Sequence, residues 1–183
     1  MSAVPNLLSI FRICLVPVFV FVYFSDTNDI KIYPTLIYAI AALSDFLDGY
    51  LARKYQVSSK LGMILDPLGD KMITTAVMVC ISIDAIIPIW AVVVTVIKEI
   101  LMGVGGYLMH KLANADIPPS NLLGKAATIV FFVVCVTLML YRDISRNAAT
   151  ALISFAILLT IFSFLSYLSN YIKVMKSRGR TVI

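Results

Sequence analysis

Charge is scarce in this chain. Of its 183 residues only 14% are Asp, Glu, Lys or Arg while 61% are hydrophobic, and the mean hydropathy is +0.96. A soluble domain carries nearer a quarter charged residues, so the composition excludes water as the solvent for most of the sequence. Paired cysteines are missing as well. Cys14, Cys80 and Cys135 fall in three separate apolar segments, with neither metal-ligand spacing nor the even number of a disulfide framework, and are expected to be small packing residues. Internal repeats and low-complexity stretches are absent. No small-residue cleavage pattern follows the first apolar run, which carries Arg12 inside it, so that run reads as a retained span rather than a leader.

What the chain does have is apolar runs. Six lie at Leu7–Phe24, Tyr33–Leu51, Gly62–Ile87, Pro88–Leu108, Leu122–Tyr141 and Ala148–Ile172, separated by short polar stretches such as SDTNDIK, RKYQVSSK and RDISRN. A membrane span needs about 20 mostly apolar residues, so six spans use up the length and leave no room for a separate soluble domain. The expectation is an all-α integral membrane protein, one six-helix bundle over residues 1–183. With the N-terminus in the cytosol, Arg53, Lys54, Lys60, Lys111, Lys173, Lys176, Arg178 and Arg180 fall inside. Only Lys31, Arg142 and Arg146 then remain among the outer loop cations. This bias favours both termini inside. It also makes the +5 net charge a topology signal, attractive to lipid headgroups and phosphates, with no nucleic acid implied.

Against that background the stretch from Ser44 to Lys71 holds four aspartates. Asp45 and Asp48 are three apart and Asp66 and Asp70 four apart, spacings that stack side chains on one side of a helix. On the expected topology both pairs lie at one membrane face, where two neighbouring helices can aim four carboxylates into one space. Such a cluster repels itself unless cations sit among it. Carboxylate oxygens without His or Cys suit magnesium, manganese or calcium rather than zinc, and four of them can share two ions. Gly49 and Ala52 share the face of the first pair and Gly62 lies one turn before Asp66, which clears space for something bulky, while Arg53 at the surface can pair with a phosphate. Loop aspartates paired with Arg53, Lys54 and Lys71 are the plainer alternative, but they leave the two in-phase pairs without a reason.

The full pattern, Asp45-x2-Asp48-Gly49-x2-Ala52-Arg53-x8-Gly62-x3-Asp66-x3-Asp70, resembles the signature of the CDP-alcohol phosphatidyltransferases at every fixed position and gap. PNLLSIFR near the start and Gly-Lys-x2-Thr at Gly124–Thr128 also look like this family. The resemblance implies a six-helix membrane enzyme, usually a homodimer, that moves a phosphatidyl group from CDP-diacylglycerol to an alcohol and releases CMP. It implies that Asp45, Asp48, Asp66 and Asp70 bind two divalent cations, Mg2+ or Mn2+, and that Asp70 is the general base. Asp48, Gly49, Ala52, Arg53 and Gly62 would bind CDP-diacylglycerol. The implied location is a bacterial inner membrane with the active site facing the cytosol.

The acceptor is less legible. The overall look is closest to phosphatidylglycerophosphate synthases, which makes glycerol 3-phosphate the expected acceptor, with the cardiolipin synthases, which use phosphatidylglycerol, as the alternative. An acceptor phosphate needs further cations, and the candidates are Lys98 and Lys125, with Thr128 one turn on and Lys111 in reach from the loop. Lys98-Glu99 stands where the synthases of the first kind have an Arg-Glu pair, and Gly106 stands where they have a second arginine. Lys98 and Glu99 are equally readable as an internal ion pair that lets the helix insert. Gly103, Gly105 and Gly106 are expected to allow close helix packing. Arg12 is readable either as a holder of a lipid phosphate or as a cap on the first span. A divalent-metal channel is a further reading, but it wants acidic residues spread through the membrane depth, and these are confined to one face.

Overall fold

Apolar runs that lie away from water must satisfy their own backbone groups, and the α-helix does this within a single segment. The computed structural model describes the backbone over residues 3–25, 30–55, 62–113 and 122–179, and side chains over 9–25, 30–47, 69–104, 122–166 and 168–169. Over these residues the chain forms α1 (Ala3–Ser25), α2 (Ile32–Tyr55), α3 (Gly62–Ile83), α4 (Ile89–Ala113), α5 (Leu122–Leu140) and α6 (Arg146–Gly179). Each helix contains the core of one apolar run, yet several outlast it. The second continues past Leu51 through Arg53 and Lys54, the fourth through Lys111, and the sixth through Lys173, Lys176 and Arg178. Lysine and arginine end an apolar run without ending a helix, because both are good helix formers.

Among the described residues, α5 and the Arg146–Ser166 part of α6 are long and apolar enough to cross a membrane on those grounds alone. The other helices carry interior charges, including Arg12, Asp45, Asp70, Lys71, Lys98 and Glu99, which lowers their apolarity. An all-helical chain with such segments is consistent with a membrane protein. The outer surface agrees, since Phe21, Phe46, Leu158 and Phe162 are all more than half exposed. So much apolar surface suits lipid better than water. The core holds Phe19, Val77, Met78, Ile81, Leu138 and Ile153. Cys80 and Cys135 are buried within it as packing residues, whereas Cys14 lies at the surface, contrary to the expectation for it.

Hydrogen bonds at one end of the bundle fix the direction of the helices. Asp84 Oδ2, just past α3, accepts from Tyr23 Oη near the end of α1 at 2.6 Å and from Arg142 Nη2, just past α5, at 2.6 Å. The buried Lys31 side chain, just before α2, donates to the Tyr23 carbonyl at 3.0 Å. Ser145 caps α6 at the same end, its Oγ accepting from the Ala148 N–H at 3.3 Å. The ends of α1, α3 and α5 therefore meet the starts of α2 and α6, and successive helices alternate in direction.

The break between α3 and α4 differs from the expected junction at Ile87–Pro88. The α3 helix stops at Ile83, and Ala85 takes φ 57°, the left-handed region. Its N–H bonds Ser82 O at 3.0 Å, and the Ile86 N–H bonds Ile81 O at 3.2 Å, the paired bonds of a Schellman stop. Ile81 and Ile86 are both buried and lock the turn into the core. A stop of this kind usually advertises itself by glycine, and alanine there hides it from the sequence. We expect Ala85→Gly to stabilise the protein by roughly 0.5–1 kcal/mol and to raise the melting temperature in detergent by a few degrees. An unchanged or lowered melting temperature would reject the strain assigned to this residue.

Candidate functional site

Five helices enclose a cavity of about 540 Å³. Tyr38, Ala41, Ala42 and Asp45 line it from α2 at the i, i+3, i+4, i+7 spacing that keeps side chains on one helical face. Positions 48, 49 and 52 continue that register. The α3 helix contributes Asp70, Lys71, Ile73 and Thr74, the α4 helix Thr95, Lys98 and Glu99, the α5 helix Lys125 and Thr128, and α6 contributes Thr160. The cavity thus gathers one aspartate of each expected pair together with every acceptor-site candidate except Lys111. The side chains of Asp48, Gly49, Ala52, Arg53, Gly62, Asp66, Lys111 and Gly106 lie outside those described, although the backbone carries the first four on α2, Gly62 and Asp66 on α3, and Lys111 and Gly106 on α4.

The α1 helix stands behind the carboxylate wall. At Gly69 a Cβ atom would lie 3.4 Å from Ser9 O and 3.6 Å from Arg12 Cβ and Cδ, which places α1 against α3 one residue before Asp70. Arg12 is wholly buried, and its Nη1 lies 2.9 Å from Asp45 Oδ1. A guanidinium so enclosed neither meets a lipid phosphate nor caps an exposed helix end, which corrects both readings of Arg12. Its fork holds one oxygen of a carboxylate whose side chain is 51% exposed, and so fixes Asp45 at the cavity edge. Sequence reading missed this pairing because nothing in the spacing of positions 12 and 45 reveals a contact between helices.

A chain of alternating charge crosses from α3 to α4. Lys98 Nζ lies 2.6 Å from Glu99 Oε1 and Lys71 Nζ lies 2.7 Å from Glu99 Oε2 as ion pairs, while Lys71 Nζ stands 3.7 Å from Asp70 Oδ2. Lys98 and Glu99 therefore form the expected ion pair, and both line the cavity. The sequence offered Lys71 only as a partner for aspartates, and its stronger partner is a glutamate on another helix. Lys125 and Thr128 face the same space from α5. The Thr128 hydroxyl donates to Gly124 O at 3.1 Å, which leaves its oxygen to accept from a ligand hydroxyl. Gly124 itself sits where a Cβ would lie 3.1 Å from Ser163 Oγ, which ties this end of α5 closely to α6. Gly103, by contrast, has nothing among the described residues within 4 Å of a built Cβ, so it provides no close packing against them.

The donor set fits a hard cation. Asp45 and Asp70 are 51% and 37% exposed, border one cavity and offer oxygen only, and among the described residues neither His nor Cys lines that cavity. Among the described side chains no cluster of three or more His, Cys, Asp or Glu converges, the other two aspartates of the pattern lying outside them.

Comparison with known proteins gives a consistent result. A family model described as CDP-alcohol phosphatidyltransferase matches residues 2–172. A Haemophilus influenzae protein named CDP-diacylglycerol--glycerol-3-phosphate 3-phosphatidyltransferase is 31% identical over 169 residues, covering 90% of this chain and 91% of that protein. A protein of the same name from Escherichia coli is 30% identical over 170 residues, covering 91% and 93%. One from Salmonella paratyphi A is 31% identical over 170 residues, with the same coverage.

Arg12 yields a direct test of how the carboxylate wall is held. Arg12→Ala removes a buried side chain together with its ion pair and is expected to cost about 1–3 kcal/mol, seen as a melting temperature several degrees lower. Arg12→Lys keeps the charge but loses the planar fork, and should fall between the two. Equal melting curves for all three proteins would show that the pair holds nothing.

Proposed function

This chain belongs to the CDP-alcohol phosphatidyltransferase family, and on that premise we propose that it transfers the phosphatidyl group of CDP-diacylglycerol to glycerol 3-phosphate and releases CMP. The observation that carries this reading is the cavity that Asp45 and Asp70 line together with Lys98 and Lys125. Carboxylates suited to a cation-bound diphosphate share that space with ammonium groups suited to a second, separate phosphate. The relatives named for glycerol 3-phosphate point to the same acceptor.

In the reaction the acceptor hydroxyl oxygen attacks the phosphorus that carries the diacylglycerol. A new P–O bond forms, the bond to the CMP oxygen breaks, and the hydroxyl proton passes to Asp70. That carboxylate is more than a third exposed to the cavity and so is reachable by a hydroxyl. Asp45, Asp48, Asp66 and Asp70 are the residues that would hold two divalent ions, Mg2+ or Mn2+, which would neutralise the diphosphate as charge develops on the leaving group. Arg12 keeps Asp45 turned to the site. Gly49, Ala52 and Gly62 are proposed to leave room for the cytidine nucleotide and Arg53 to bind its phosphates. Lys98 and Lys125 bind the acceptor phosphate, and Thr128, its proton committed to Gly124 O, accepts from a glycerol hydroxyl.

The six helices form one unit over residues 1–183 and are proposed to cross a bacterial inner membrane with both termini in the cytosol. The basic ends of α2, α4 and α6 support that orientation, since such ends favour the cytosolic side. In this orientation the nucleotide stays in water and the acyl chains stay in lipid. The working form is proposed to be a homodimer, as is usual in the family.

Purified protein with CDP-diacylglycerol and Mg2+ or Mn2+ should release CMP when given glycerol 3-phosphate, and chelation with EDTA should abolish the release. Phosphatidylglycerol serves as the competing acceptor, and preference for it would reassign the enzyme to cardiolipin synthesis. Asp70→Asn should lower kcat by roughly 10²–10⁴ while CDP-diacylglycerol still binds, in line with loss of a general base. Near-normal turnover in that variant would remove Asp70 from the role.

A further inference from the structure

We propose that Glu99 is a positioning residue that sets the enzyme's affinity for a phosphate-bearing acceptor, by holding Lys71 of α3 and Lys98 of α4 as a matched pair of cations on the cavity wall. The inference rests on the reading of the cavity as the place where acceptor and donor meet.

The geometry is specific. Each carboxylate oxygen of Glu99 takes a different ammonium group, at 2.6 and 2.7 Å, and the two lysines come from different helices. Lys98 precedes Glu99 directly, and consecutive side chains on a helix point about 100° apart, so Lys98 reaches its neighbour only by curling round to it. A side chain drawn back in this way is held by its partner. Lys71 has two acidic neighbours and stands much nearer Glu99 than Asp70, at 2.7 against 3.7 Å. Glu99 therefore pulls Lys71 across the α3–α4 seam, away from the aspartates and toward the wall that Lys98 occupies.

Sharing one carboxylate between two lysines has a chemical consequence. The trio keeps one net positive charge, and each ammonium group retains donors that the glutamate does not use. Lys98 and Glu99 are only 12% and 16% exposed, so this charge is screened little by water. With Asp70 3.7 Å from Lys71 and Lys125 also lining the cavity, the three lysines and two carboxylates together keep one net positive charge, and the ammonium donors that the carboxylates leave unused are available to an acceptor phosphate. Without Glu99 the two ammonium groups repel each other across the seam, and their donors no longer converge. A lysine at position 98 fits this arrangement. A flexible point charge can be curled onto a neighbouring carboxylate, which a rigid guanidinium fork does poorly.

The test is steady-state CMP release as glycerol 3-phosphate is varied, with CDP-diacylglycerol saturating, for wild type, Glu99→Gln, Glu99→Asp and Lys71→Met. Glu99→Gln is expected to raise KM for glycerol 3-phosphate by about tenfold, the scale of a lost charged hydrogen bond, with a much smaller change in kcat and none in KM for CDP-diacylglycerol. Glu99→Asp should recover part of the loss, and Lys71→Met should raise the same KM. A KM for glycerol 3-phosphate that is unchanged or lower in Glu99→Gln would overturn the proposal, because the carboxylate would then merely neutralise or compete. If Glu99→Gln melts well below wild type, Lys71→Met decides on the same criterion. A wild-type enzyme inactive with glycerol 3-phosphate sinks the proposed acceptor itself, whereas an active wild type with an indifferent Glu99→Gln sinks only the positioning role.

Discussion

A charge carried into an apolar helix bundle has to find its partner on another helix, since the surroundings offer neither water nor counterions. The arrangement of this protein follows from where those partners stand. Arg12 of α1 reaches Asp45 of α2, Lys71 of α3 reaches Glu99 of α4, and Asp84 beyond α3 gathers Arg142 from beyond α5 and Tyr23 from α1. Every one of these contacts joins segments that apolar packing alone would leave free to slide or rotate. Lipid tails are as apolar as leucine, so helices inside a bilayer gain little specificity from hydrophobicity. Ion pairs and hydrogen bonds between them supply the register instead.

Two kinds of charge contact emerge from that constraint. At the Asp84 end, a single carboxylate oxygen takes two donors at 2.6 Å, and buried Lys31 closes on the Tyr23 carbonyl. These groups are occupied by one another and tie the loops together. At the cavity the pairing is asymmetric: a buried partner holds a half-exposed one, Arg12 behind Asp45 and Glu99 beside Lys71. The enclosed member fixes the position and the open member is left to meet a ligand. This is the division of labour that a site for a doubly anionic donor and an anionic acceptor requires, with preorganised charges that need no rearrangement when substrate arrives.

Much of this was legible from the residues, and the parts that were not share a physical cause. The apolar runs located all six helices because that signal is local and periodic, and Asp45 and Asp70, one from each expected pair, line one cavity. Helix ends at Tyr55 and Ala113 were not visible, since polar helix formers extend a helix without extending hydrophobicity. The end of α3 was hidden because Ala85 adopts a backbone conformation that glycine usually announces. Arg12, Lys71 and Glu99 were each noticed as charges, but their meaning depends on partners many residues away. A sequence gives the need for a partner and not its address.

That limit bears on how acceptor choice is encoded in such a fold. The cations that line the cavity come from three helices, Lys71, Lys98 and Lys125, and of these three only Lys125 falls within a short motif, Gly-Lys-x2-Thr. The donor-side pattern, by contrast, is contained in one helix pair, from Asp45 to Asp70. Chemistry shared by every member of a family can be written locally, because the same diphosphate must always be held at the same place. On the proposed reading, selection among alcohols rests instead on contacts that the fold brings together, and position 98 takes its meaning from Glu99 beside it and from Lys71, which meets Glu99 across the seam.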